Sequence, residues 1–175
     1  MNKTSPRFAL YRLCFFLLMC LALCSCDKEK AEPARKGMVA PNPGALYLEN
    51  DQPVTLDKYL GNPLVVIFFS NSCCADELEK MEELVHSSEK DAFSVLGINV
   101  GDRREAVARL GKEKKVSFPL AYDPILTSKH RFRLMAIPTI FVIGRDGKII
   151  GRIIGKVTYE QLSSKVKEML HEQEK

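Results

Sequence analysis

The chain has 175 residues, 46% hydrophobic and 27% charged, which suits one medium globular domain preceded by a short extra segment. Its formal charge is +4, but Lys3, Arg7 and Arg12 supply three of those charges before any acid occurs, and the rest is nearly balanced. That balance gives no reason to invoke a nucleic-acid partner, which would normally leave a basic stripe or patch, so none is expected. Arg103-Arg104 and the lysines from Lys112 to Lys115 read as solvated helix faces.

The basic start is followed by an apolar run from Leu13 to Leu23. Crossing a membrane takes about 20 apolar residues, and this shorter run has the length of a signal-peptide core. Leu23-Cys24-Ser25-Cys26 resembles a bacterial lipoprotein cleavage box, with an aliphatic residue three before a cysteine and a small residue directly before it. Residues 1–25 are therefore expected to be a lipoprotein signal peptide, with Cys26 the lipidated first residue of a periplasm-facing envelope protein. The alternatives are a cut before Cys24, disfavoured by the bulk of Leu23, and an amino-terminal anchor that is never cut. One acyl chain holds only marginally, so a stable anchor needs more than one. Of six cysteines, Cys14, Cys20 and Cys24 fall in the leader and Cys26 is modified. Cys73 and Cys74 alone remain, too few for a disulfide framework.

From Asp27 to Pro43 the chain is rich in Lys, Glu, Ala, Pro and Gly, and reads as a flexible tether over residues 26–43. The folded domain is expected from residue 44 to the C-terminus. Leu46, Leu48, Val54 and Leu56 predict short strand-like segments around Asn50-Asp51. Leu64 to Phe69 is a continuous apolar run, as in a strand covered on both faces. Ser72 is placed to cap a helix whose inner face carries Leu78, Met81, Leu84 and Val85.

Phe93 to Val100 predicts another buried strand. Ala106, Val107 and Leu110 predict a helix from Arg103 that ends at Gly111. A short helix from about Leu126 to Leu134 leads to Met135-Ala136-Ile137-Pro138. Thr139 to Ile143 and Lys148 to Ile154 form a hairpin about an Asp146-Gly147 turn. Thr158 and Gln161 make a capping box for a last helix striped by Leu162, Val166, Met169 and Leu170. The order implies an α/β domain with one central mixed sheet covered by helices on both faces.

Cys73 and Cys74 sit where the first buried strand hands over to its helix. Unpaired amides at such a terminus favour negative charge, so they lower a thiol pKa and favour the nucleophilic thiolate. Thiol exchange also calls for a second thiol one helical turn away, and Asp76 holds that place. His86, His130 and His171 lack metal-ligand spacing, and Cys73, Cys74 and Asp76 lie too close together for a good tetrahedral site. Gly144-Arg145-Asp146-Gly147 is a turn and not a phosphate cradle, so no cofactor is expected.

Several stretches carry a family resemblance. They are Val65-Val66-Ile67-Phe68-Phe69, the cysteine at the helix start, Phe118-Pro119-Leu120 with Asp123, and Ile137-Pro138-Thr139-Ile140-Phe141-Val142-Ile143 followed by Gly144-Arg145-Asp146-Gly147-Lys148-Ile149. In this order they resemble the thioredoxin-like proteins of bacterial envelopes, a thiol–disulfide oxidoreductase group related to the AhpC/TSA redoxins. The resemblance implies a thioredoxin-like fold, a cis Pro138 facing the cysteines, and an Ile137 backbone that offers hydrogen bonds to an extended substrate. It implies a protein thiol or disulfide as substrate or redox partner. Cys73 takes the attacking-cysteine position, Ser72 replaces the usual tryptophan, and Asp76 takes the resolving-cysteine position.

These departures leave three readings open. In the first, Cys73 attacks a substrate disulfide, and Cys74 or an external thiol releases the product. In the second, the site is degenerate and the domain is a binding or adaptor module. The third is a cysteine peroxidase, since Cys74-Ala75-Asp76-Glu77-Leu78 resembles the segment after a peroxidatic cysteine. Against it, Asn71 and Ile67 stand where that family has threonine and proline. Cys73 and Cys74 can also close a vicinal disulfide, although its small ring conflicts with a regular helix start.

Overall fold

A computed structural model describes residues 33–172. The leader and Cys26 lie outside the described residues. Seven strands form one mixed sheet in the order β2-β1-β5-β4-β3-β6-β7. They are β1 (Leu46–Leu48), β2 (Pro53–Val54), β3 (Leu64–Phe69), β4 (Ser94–Val100), β5 (Leu120–Asp123), β6 (Thr139–Ile143) and β7 (Ile149–Ile154). Between them run α1 (Asn71–Ser87), α2 (Arg104–Glu113) and α3 (Thr127–Phe132), and α4 (Tyr159–Glu172) closes the domain.

β3, β4 and β5 are parallel, whereas β6 runs antiparallel to β3 and pairs Thr139 with Phe68. The start of β6 therefore lies at the same sheet edge where β3 ends and α1 begins. That one topological fact brings two segments about 70 residues apart in sequence to a single rim.

The unbroken apolar run of β3 is explained by its central place. All six of its residues are buried, and alternate side chains enter opposite faces. On one face Val65, Ile67 and Phe69 join Leu78, Met81 and Leu84 of α1, Val107 and Leu110 of α2, and Leu162 and Val166 of α4. On the other, Leu64, Val66 and Phe68 pack with Phe132 of α3 and Phe141 of β6. Phe68, Phe132 and Phe141 form an aromatic triad, with ring centroids 4.8, 5.2 and 5.9 Å apart. Burying each such side chain stabilises the fold by about 1.5–3 kcal/mol relative to leaving it exposed.

The hairpin forms as its turn residues predict. Gly147 takes φ 78° and donates to the Gly144 carbonyl at 2.9 Å. The capping box is reciprocal too: Thr158 N–H donates to Gln161 Oε1 at 3.1 Å, and Gln161 N–H to Thr158 Oγ1 at 3.3 Å.

Three local expectations change. α2 continues through Gly111 to Glu113. A Cβ at Gly111 would stand 3.0 Å from Leu120 Cδ1, so this glycine admits the close approach of β5 and does not end the helix. The N-cap position of α1 is held by Ser70, whose side chain makes no capping bond, and Ser72 lies inside the first turn. Finally, part of the expected tether packs onto the domain. Gly37 N–H donates to the Ile149 carbonyl and Ile149 N–H to that of Met38, both at 2.8 Å, while Ala34 is buried. The exposed edge of β7 offered unpaired amides and carbonyls, and residues 37–40 partly satisfy them.

Candidate functional site

The buried end of β3 at Phe69 hands the chain to α1, which opens at Asn71. Cys73 is exposed and Cys74 is fully buried, and the two are joined in a vicinal disulfide. Backbone angles at Cys74 are φ −139° and ψ 22°, so the first turn of α1 is set off from the rest of the helix. The objection that a vicinal ring conflicts with a regular helix start is met by this irregularity.

Across the rim, the Ile137–Pro138 bond is cis, as the resemblance implied. Cys73 Sγ lies 4.0 Å from the Ile137 carbonyl oxygen. In the disulfide this sulfur has no proton to donate, so the contact becomes a hydrogen bond only when Cys73 is a thiol. Ile137 precedes β6 and is half-buried, and Met135 two residues earlier is 73% exposed. The structure thus brings together Cys73, Cys74, Ile137 and Pro138.

Asp76 is turned outward. Its carboxylate is 73% exposed and lies 3.5 Å from Lys114 Nζ, which also donates to Glu79 at 2.8 Å. The hydrogen bond to Glu79, and then the charges of Glu79 and Asp76, hold the Lys114 pKa above its ordinary value. A lysine is thus the nearest countercharge to an acid that would otherwise oppose thiolate formation.

A polar network that the spacing did not disclose pins the start of α1. Asp102 accepts from the Asn71 N–H at 2.8 Å and from Asn99 Nδ2 at 2.9 Å. Asn99 Nδ2 also donates to Asn71 Oδ1 at 2.8 Å, and Asn99 Oδ1 accepts from the Asp102 N–H at 3.0 Å. Asn99 is fully buried in β4 opposite Phe69 of β3, so these bonds tie the cysteine-bearing turn to the neighbouring strand. Asn71, Asn99 and Asp102 have no spacing in the sequence that signals their pairing.

The same network bears on the peroxidase reading. Asn71 sends its side-chain amide to the Ala106 carbonyl at 3.0 Å and is committed to α2. Ile67 is buried in the sheet. Neither offers the polar or ring-constrained wall that the peroxide pocket requires.

Comparison with known proteins agrees with this geometry. The AhpC/TSA family model matches residues 37–152. The thiol-disulfide oxidoreductase ResA of a Bacillus cereus strain is 27% identical over 164 residues, covering 86% of this chain and 92% of that protein. The sporulation thiol-disulfide oxidoreductase A of Bacillus subtilis strain 168 is 24% identical over 145 residues, covering 72% and 88%. Among solved structures, a thiol:disulfide interchange protein of the thioredoxin family from Chlorobium tepidum TLS superposes with a TM-score of 0.65 at 23% identity, covering 81% of this chain and 99% of that one. A thiol-disulfide oxidoreductase from Bacteroides fragilis NCTC 9343 gives 0.62 at 22% identity, covering 75% and 99%. With a family match over well more than half its length and a thioredoxin-like sheet, this chain belongs to the AhpC/TSA family of thioredoxin-fold redoxins.

Proposed function

We propose that the protein is a thiol–disulfide oxidoreductase of the bacterial envelope, held to a membrane by lipid on Cys26 and acting on cysteine-bearing protein partners. One observation carries the chemistry: an exposed Cys73 sulfur at the start of α1, bonded to a second cysteine and facing the Ile137 carbonyl. The names of the relatives from Bacillus support the same reaction class. Among the described residues no helix is long and apolar enough to cross a membrane, so attachment in this reading rests on the segment before the domain.

The steps follow from the site. The Cys73 thiolate attacks one sulfur of a substrate disulfide. A new S–S bond forms, the old one breaks, and the first substrate sulfur leaves as a thiolate that takes a proton from water. Cys74, once deprotonated, then attacks the Cys73 sulfur of the mixed disulfide and expels the second substrate thiolate. The substrate gains two electrons, and the protein loses two in closing the Cys73–Cys74 bond. An external dithiol reopens that bond for another cycle, and the same steps run backwards oxidise a substrate dithiol. Without Cys74, an external thiol attacking the Cys73 sulfur expels the same substrate thiolate and is left in a mixed disulfide with Cys73, which a second external thiol cleaves to free Cys73 and the oxidised external pair. Asp76 cannot resolve anything, which is why this role passes to Cys74 or to an outside thiol.

The test is trapping. Reduced protein is mixed with a disulfide-bonded peptide, quenched in acid and mapped by mass spectrometry. Peptide adducts on Cys73, followed by the Cys73–Cys74 pair and free peptide thiols, are expected, and Cys73→Ser should abolish both. Absence of any adduct, beside a reactive control protein, would leave only a binding module on this fold.

A further inference from the structure

Ser70 occupies the position from which a serine ordinarily caps a helix by accepting a hydrogen bond from a first-turn amide. Here it makes no such bond. Its carbonyl starts the helix, accepting from the Cys74 N–H at 3.2 Å, while its hydroxyl turns to the rim. Ser70 Oγ lies 3.3 Å from Cys73 Sγ and 3.2 Å from Ser72 Oγ. A serine that gives up its capping bond for a sulfur is available for the chemistry of that sulfur.

We infer that Ser70 is a catalytic residue that donates its hydroxyl hydrogen to the Cys73 thiolate and so sets how much of that thiolate exists near neutral pH. This rests on the exchange reading above. In the disulfide the sulfur cannot donate, so the hydroxyl is the donor across the 3.3 Å contact. On reduction the same O–H meets a negative sulfur, and a hydrogen bond to a charged acceptor is about twice as strong as one between neutral groups. A bond made to the charged form lowers the pKa of the thiol. No proton is transferred, because the serine hydroxyl is far too weak an acid. The bond also serves when Cys73 departs as a thiolate from a mixed disulfide attacked at its other sulfur. Ser72 can donate to Ser70 Oγ in turn and polarise it toward the sulfur. With serine in place of tryptophan at position 72, this hydroxyl pair is the polar environment that the start of α1 supplies to Cys73.

The experiment measures alkylation of Cys73 by iodoacetamide against pH in the reduced, full-length protein, with the modified residue located by mass spectrometry. Ser70→Ala should raise the titration midpoint by about one pH unit, which is a roughly tenfold smaller thiolate fraction below the midpoint. Ser70→Thr should restore the wild-type midpoint. Ser70→Gly keeps a favourable residue at the helix start and should reproduce the alanine shift, guarding against a variant that merely frays the helix. A reactive wild-type Cys73 whose midpoint is unmoved in folded Ser70→Ala and Ser70→Gly overturns this inference alone. A wild-type Cys73 that neither alkylates nor exchanges with a disulfide peptide overturns the exchange reading, and this inference with it.

Discussion

Lys114 Nζ lies 3.5 Å from the carboxylate of Asp76, the residue that stands where related redoxins keep a second cysteine. The resolving position has therefore joined a surface ion cluster with Glu79, and the thiol closest to Cys73 is its buried sequence neighbour. Of the two sulfurs at this rim, that of Cys73 is exposed and that of Cys74 is buried. In the proposed exchange, a partner would reach Cys73 first.

Restoring a thiol at the outer position tests that arrangement. Asp76→Cys places a sulfur one helical turn from Cys73, at the same end of α1. The introduced thiol should compete with Cys74 for Cys73 in the oxidised protein and raise turnover of a disulfide peptide several-fold. Peptide mapping of the oxidised variant and a thiol-release assay read the two effects.

The lysine makes a pH-dependent contribution whose sign is set by its raised pKa. A cation held above its unfolded value of about 10.4 stabilises the fold fully below that pH. The contribution fades as pH rises through the folded value. Thermal melts across the alkaline range should show this loss in the wild type and not in Lys114→Met. That variant should also raise the Cys73 thiol pKa slightly, because the Asp76 charge loses its partner.

Asn99 should matter more to folding than its neutral side chain suggests. Asn99→Ala leaves the Asn71 side-chain carbonyl and the Asp102 N–H without the partners they have now. Leaving such buried groups unsatisfied costs about 1–3 kcal/mol. Urea unfolding should show a lower midpoint with an unchanged slope.

Lipidation is tested independently of the site. Cys26→Ser should keep the leader attached and lack the acyl mass. Mass spectrometry of the purified chain separates the forms. A wild-type chain with no acyl group on Cys26 would sink the anchor while leaving the exchange chemistry standing.

Much of this molecule was legible from local pattern. Leu64 to Phe69 reads as a central strand because a strand covered on both faces can carry no polar alternation, and all six residues are buried. Asp146-Gly147 reads as a turn because glycine takes the positive φ there, and Thr158 with Gln161 reads as a cap because the two side chains satisfy each other's amides. Gly111 misled the reading because a glycine that ends a helix and one that admits a neighbouring strand look alike until Leu120 is in place. Ser72 reads as the cap, whereas the course of β3 into α1 puts Ser70 at the N-cap position and Ser72 in the first turn. Residues 34–40 looked like a tether because their partner is the backbone of β7, which has no signature in side chains.

By itself the sequence determined the strands, the helices, the family and the pair of cysteines, since each depends on short-range periodicity or on motifs in fixed order. Only the tertiary structure decided that Cys73 is open and Cys74 closed, that Lys114 answers Asp76, and that a serine hydroxyl faces the sulfur. The physical reason is distance. Exposure, countercharge and hydrogen-bond direction are set by groups that the sheet brings together from remote parts of the chain, and the electrostatic environment of a thiol is the sum of those groups.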